Sequence, residues 1–163
     1  FIKMKICLKI DDFISNERVA GITTGNTKED VIHILGDPDN ISNIYKKIGI
    51  LIFLYGNLRI TIYENFVSGV AVELTSFKIN DLICMDKNFL KILQSQNGIQ
   101  YYLTNNKIDF HANSETVSPK NSRIFFGLQN GRVHRFGLKD ALVHGYVLEK
   151  KMRELNGGNR KLV

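Results

Sequence analysis

The sequence has little of what would give it an obvious chemistry. Its 163 residues include two cysteines, Cys7 and Cys84. These are too few for a disulfide framework and show no zinc spacing. Either one bond joins them or both are free, partly buried thiols, which is the ordinary state in a reducing compartment. No apolar run approaches the roughly 20 residues that cross a bilayer. There is no P-loop, nucleophile elbow or paired-carboxylate motif. None of the four histidines, His33, His111, His134 and His144, stands in a His-x-x-x-His pair or at zinc spacing with cysteine. The expectation is a protein with no metal, no cofactor and no catalytic residues. The N-terminus also lacks a continuous apolar stretch. Ile2, Met4, Ile6, Leu8 and Ile10 alternate with Lys3, Lys5, Cys7, Lys9 and Asp11, the pattern of a strand with one buried face and not of a leader. A cytoplasmic location with no membrane partner is expected.

What is present is a folded composition, 44% apolar and 23% charged. The net charge of +6 is unevenly placed. Residues 1–80 hold nine Lys/Arg and nine Asp/Glu, whereas residues 81–163 hold thirteen against seven. A cationic second half solubilises the surface, and it also favours an acidic protein, nucleic acid or anionic lipid.

Gly25-Asn-Thr-Lys-Glu-Asp-Val-Ile-His-Ile-Leu-Gly-Asp-Pro38 reads as a two-turn helix. Thr27 caps it, Asp30 completes a weakened capping box, Val31, Ile34 and Leu35 form one apolar face, and Gly36 and Pro38 end it. Three strand-like segments follow. Residues 48–55 are apolar on both faces and so belong in a sheet covered on both sides. After a Gly56-Asn57 turn, residues 58–64 put Leu58, Ile60 and Ile62 inward and Arg59, Thr61 and Tyr63 outward. Residues 70–77 put Val70, Val72 and Leu74 inward. The order then returns loosely. Asp86 caps a helix ending near Gly98, residues 99–104 and 107–111 read as strands, and a polar loop carries Pro119. Arg123–Leu128 and Arg132–Leu138 form a hairpin around Gln129-Asn130-Gly131. Residues 55–62 match 103–110 in pattern, 48 positions apart. Asp140–Leu155 reads as a helix with Leu142, Tyr146, Met152 and Leu155 near one face. Gly157-Gly158 stops it before a basic tail. The predicted fold is α+β: two tandem repeats of a short helix plus a three- to four-stranded antiparallel meander, with an N-terminal strand and a C-terminal helix. The parts are 1–80, 81–138 and 139–163 of one domain.

The pattern Gly-x-Thr-x-x-acid-Val-x-x-x-Leu-Gly-x-Pro, carried here by Gly25, Thr27, Asp30, Val31, Leu35, Gly36 and Pro38, resembles the SmpA/OmlA outer-membrane assembly lipoproteins. It is also similar to the tandem-repeat β-lactamase inhibitor proteins built on the same unit, and to small bacterial immunity proteins with a helix–meander unit. The resemblance covers residues 21–77 well and 81–138 weakly. A lipid-anchored cysteine marks the lipoproteins, whereas Cys7 lies inside an alternating segment, so the lipoprotein role is set aside. The resemblance implies a sheet face that binds another protein.

If residues 99–138 form one sheet, Tyr102, Lys107, Asp109, His111, Arg123, Arg132 and His134 point away from the core. Tyrosine and arginine are the usual interface anchors. The expected docking surface therefore comprises Arg59, Tyr63, Tyr102, His111, Arg123 and Arg132. The expected function is a non-catalytic immunity or inhibitor protein that occludes a toxin and meets an acidic patch on its partner. The alternatives are a nucleic-acid-binding regulator, using the basic second half with Lys150, Lys151, Arg153, Arg160 and Lys161, and a hydrolase using His111, His134 and Asp109.

Overall fold

The computed structural model describes residues 4–43, 45–75 and 80–160. Along the chain the elements are β1 (Ile6–Leu8), α1 (Ile10–Asn16), α2 (Lys28–Leu35), β2 (Asn40–Ser42), a 3-10 turn (Lys46–Ile48), β3 (Ile50–Tyr55), β4 (Leu58–Tyr63) and β5 (Phe66–Glu73), then β6 (Ile83–Met85), α3 (Lys87–Leu93), α4 (Gln96–Asn105), β7 (Phe110–Ala112), β8 (Thr116–Pro119), β9 (Ile124–Gln129), β10 (Arg132–Lys139) and α5 (Ala141–Arg160). The class is α+β. Eight strands form one antiparallel sheet in the order β2-β3-β4-β5-β10-β9-β8-β7, and β1 and β6 form a separate parallel pair. The large sheet is thus two four-stranded meanders joined where β5 meets β10. Among the described residues no helix is long and apolar enough to cross a membrane.

Local grammar explains the first meander. Thr27 Oγ1 accepts from the Asp30 N–H at 3.1 Å, and Asp30 Oδ2 accepts from the Thr27 N–H at 2.9 Å. This reciprocal box satisfies two donors that a helix start leaves free, and the hydrogen bonds hold the Asp30 carboxyl below its ordinary range. Thr27→Ala is expected to cost about 1 kcal/mol, read as a lower urea midpoint at unchanged slope; an unchanged midpoint would mean that α2 is held by packing alone. The turns at Glu64-Asn65 and Asn130-Gly131 both place two consecutive residues at positive φ. Such turns match the right-handed twist of the hairpins they close.

The inner face of the sheet carries the main core. Leu58, Ile60, Ile62, Val70 and Val72 from the first meander and Val117, Phe126, Phe136 and Leu138 from the second are buried beneath α1, α2, α3 and α4. Asn57 ties the small sheet to the large one. Its amide donates to the Ile83 carbonyl and accepts from the Ile83 N–H, both at 2.9 Å, so a side chain takes the place of a neighbouring strand. The outer face is covered over the first meander by α5, whose Val147 packs on Ile50 and Ile52. That is why β3 is apolar on both faces, with Phe53 and Tyr55 turned to the main core.

Several expectations are corrected. The N-terminal strand spans three residues, and Ile10 begins a helix, because Ile10 and Phe13 at i, i+3 both reach the core. The segment 99–104 is helical. Ser95 caps α4 by accepting from the Gly98 N–H at 3.1 Å, and Ile99 and Leu103 bury one face at i, i+4. Asp86 does cap α3, accepting from the Phe89 N–H at 2.8 Å, but that helix ends at Leu93. The match of 55–62 with 103–110 pairs unlike structures, a hairpin in one case and the end of α4 with the approach to β7 in the other. Pro119 ends a strand opposite Phe110, a position where its missing N–H is tolerated. The strand expected over 70–77 is β5, which starts at Phe66 and ends at Glu73. On α5, Leu142, Tyr146, Met152 and Leu155 are exposed, and Val143 and Val147 dock instead. The helix runs past Gly157-Gly158 to Arg160, since glycine costs a helix only about 1 kcal/mol. Ile2, Ser76, Phe77 and the tail 161–163 lie outside the described residues.

Candidate functional site

The six residues expected on one docking surface are dispersed. Arg59 and Tyr63 do lie on the outer face of β4. Tyr63, however, is half-buried under α5, with the Lys150 ammonium 4.7 Å from its ring centroid. Tyr102 lies on α4, on the opposite side of the sheet, and its hydroxyl donates to the Asp11 carboxylate. Burial, then that bond, raises its pKa well above the ordinary phenol range. Arg123 reaches the 19–27 loop, where Nη1 donates to Thr24 Oγ1 at 3.0 Å and to Thr23 Oγ1 at 3.3 Å. It serves as a tie between β9 and that loop. His111 is exposed on β7, at the sheet edge, and Arg132 sits beside the β9–β10 turn. Tyr63 and Tyr102 therefore cannot act together on one partner face.

The hydrolase grouping is not assembled either. His111 lies on β7 and His134 on β10, three strand spacings apart, roughly 14 Å at ~4.8 Å per strand. His134 occupies a bulge where the pairing skips from Val133 to Arg135. Its Nε2 accepts from Arg135 Nε at 3.0 Å, and its buried Nδ1 has no hydrogen-bond partner among the described residues.

A different set of residues converges. Cross-strand register places Arg59 opposite Ala71, Ala71 opposite Gly137 and Gly137 opposite Phe125. The two central positions carry almost no side chain, so the outer face forms a shallow trough. Arg135, opposite Glu73, and Lys139, opposite Gly69, lie on the same face. Lys139 Nζ stands 5.4 Å from the Phe125 ring centroid. A cavity of about 440 Å3 opens at the Gly56-Asn57 end of the trough, lined by Arg59 and Arg135 together with Glu73 and Asp81.

One flank of α5 completes the trough. Asp140 starts the helix by accepting from the Val143 N–H at 3.1 Å, and its own N–H donates to the Ser68 carbonyl at 3.1 Å. This anchor fixes the rotation of the helix. His144, Leu148 and Lys151, at i, i+4 and i+7, then share one side. Burial pushes the His144 pKa down, and Lys139, Lys151 and Arg135 push it further. Burial likewise lowers Lys151, with Arg59 adding to it. Lys139, Lys151 and Arg135 thus favour the neutral form of His144, and Arg59 acts against the charge of Lys151, in a trough that also holds Glu73, Asp81 and Asp140. On the other flank, Lys150 lies 3.9 Å from the Glu64 carboxylate, and its contact with Tyr63, then the charge of Glu64, raises its pKa.

The sequence signal for this trough was weak. Only the doubly apolar β3, which demands a covering element, pointed to α5 lying back over the first meander. No protein-family model, curated protein or solved structure matches the chain.

Proposed function

We propose that this chain is a non-catalytic protein-binding module, an immunity or inhibitor protein that occludes a bacterial toxin, and that it docks an acidic surface of that partner into the trough between α5 and β10. The single observation that carries the reading is the convergence of Arg59, Arg135, Lys139 and Lys151 on one shallow, partly apolar trough. Like charges held together destabilise the free protein, and a partner of opposite sign relieves that repulsion. The exposed Leu148 and Met152 of α5 supply apolar area at the border. The helix–meander resemblance of residues 21–77 supports the same reading. On it, the two four-stranded meanders are copies of one unit, joined edge to edge at β5 and β10.

The test compares the wild type with Arg135→Glu/Lys139→Glu in capture from native lysate at low and moderate salt, followed by titration of the captured protein. A stoichiometric protein partner held by the wild type at moderate salt is expected. Its affinity for the double variant should fall at least about tenfold, mainly through slower association. A partner held equally by both proteins removes the trough from the site. Nucleic acid that washes off with salt, with no protein captured, would replace this reading with the regulator.

A further inference from the structure

Cys7 and Cys84 occupy partner positions in the two-stranded parallel sheet. Ile6 faces Ile83, Cys7 faces Cys84 and Leu8 faces Met85. Neighbouring strands stand about 4.8 Å apart, inside the 4.4–6.8 Å Cα range of a disulfide. Partners in a parallel ladder point to the same side. The flanking pairs Ile6/Ile83 and Leu8/Met85 turn toward the core, with Ile83 and Met85 buried. The cysteine pair therefore turns outward. Cys7 is exposed, Cys84 is half-exposed, and both are free thiols. Burial raises the Cys84 pKa, and the adjacent Cys7 raises it further. Each strand is three residues long, so the pair can adjust to bond geometry without disturbing a long ladder.

We propose that Cys7 and Cys84 form a vicinal dithiol site, oxidised by small-molecule disulfides to an interstrand disulfide. Cys7, the accessible thiol, loses its proton to solvent, and its sulfur attacks one sulfur of the small disulfide. The S–S bond of the reagent breaks, a mixed disulfide forms on Cys7, and the first small thiol leaves with the electron pair and takes up a proton. Cys84 then loses its proton and attacks the Cys7 sulfur. The Cys7–Cys84 bond forms, the mixed disulfide breaks, and the second small thiol departs and is protonated. Two protein thiols are oxidised and one small disulfide is reduced to two thiols. The raised pKa of Cys84 lowers its thiolate fraction, which leaves the first attack to the more accessible Cys7. That step is intramolecular, with an effective concentration of at least the millimolar order, so the mixed disulfide does not accumulate.

The site joins two entries into the core. β1 leads directly into α1 with Phe13, and β6 leads into α3 with Phe89, and these two rings stack at 6.0 Å. The bond would close a long loop of the unfolded chain and raise the thermal midpoint.

The test incubates the folded wild type with oxidised glutathione and follows intact mass, free thiols and the peptide map. Both thiols are expected to disappear together. The mass should fall by two hydrogens, one peptide pair should link Cys7 to Cys84, and the thermal midpoint should rise until dithiothreitol reverses it. Cys84→Ser should stop at a single glutathione adduct on Cys7. In Cys7→Ser, the remaining Cys84 should react at least about tenfold more slowly than Cys7 does in the other variant. Stable glutathione adducts on the wild type, disulfide-linked dimers, or two thiols inert in the native protein would each overturn the proposal.

Discussion

Phe13→Ala is expected to lower the unfolding free energy by about 3–5 kcal/mol. Phe13 is almost wholly buried, and its ring centroid lies 5.2 Å from Phe136, 6.0 Å from Phe89 and 6.1 Å from Phe126. It is the point at which α1, α3, β9 and β10 meet. Removing it leaves a void bordered by three rings that are themselves held by the sheet and by α3, so the site collapses little. Aromatic pairs also contribute beyond the area they bury. Urea unfolding at fixed temperature measures the loss. A change of only about 1 kcal/mol, the ordinary effect of a substitution, would mean that α1 does not dock in this way.

Gly137→Ala is expected to cost about 3 kcal/mol or more, because the added methyl meets backbone and not a yielding side chain. A Cβ at Gly137 would stand 1.8 Å from the Val70 carbonyl oxygen and 2.8 Å from its carbon. Relief therefore requires β10 to move away from β5, along the seam between the meanders. Gly127→Ala is the control in the neighbouring strand. There the nearest atom is the Arg135 Cγ at 3.0 Å, the stem of a flexible side chain. The control should lose clearly less stability. Equal urea midpoints for the two variants would show that the seam is not the constraint. Because Gly137 also floors the trough between Arg59 and Phe125, captured partner should be lost from Gly137→Ala at temperatures where the wild type still binds.

The parts of the fold that sequence reading reached were those written locally. Thr27, Asp30 and Gly36 define a helix within one stretch of chain, and Leu58, Ile60 and Ile62 alternate with nothing to contradict them. The segment 99–104 is ambiguous in sequence because a six-residue apolar and aromatic window satisfies either period. Ser95 and the pair Ile99 and Leu103 settle it, and they become visible only when the window is widened. The placement of Tyr102 follows from that ambiguity, since a strand and a helix point its side chain to different faces. α1 was hidden by the alternation running into it from Met4 to Ile10. The trough was not legible for a different reason. Arg59 comes from β4, Arg135 and Lys139 from β10, and His144 and Lys151 from α5. These meet only after the two meanders pair and the last helix folds back.

The eight-stranded sheet ends in β2 on one side and β7 on the other, and each is three residues long. An outer strand of ordinary length offers a row of free amides and carbonyls on which a second chain can template itself. Here the inner strands run from four to eight residues, while the margins offer room for scarcely one complete pairing repeat. The sheet thus ends in borders too short to be templates for polymerisation by strand addition.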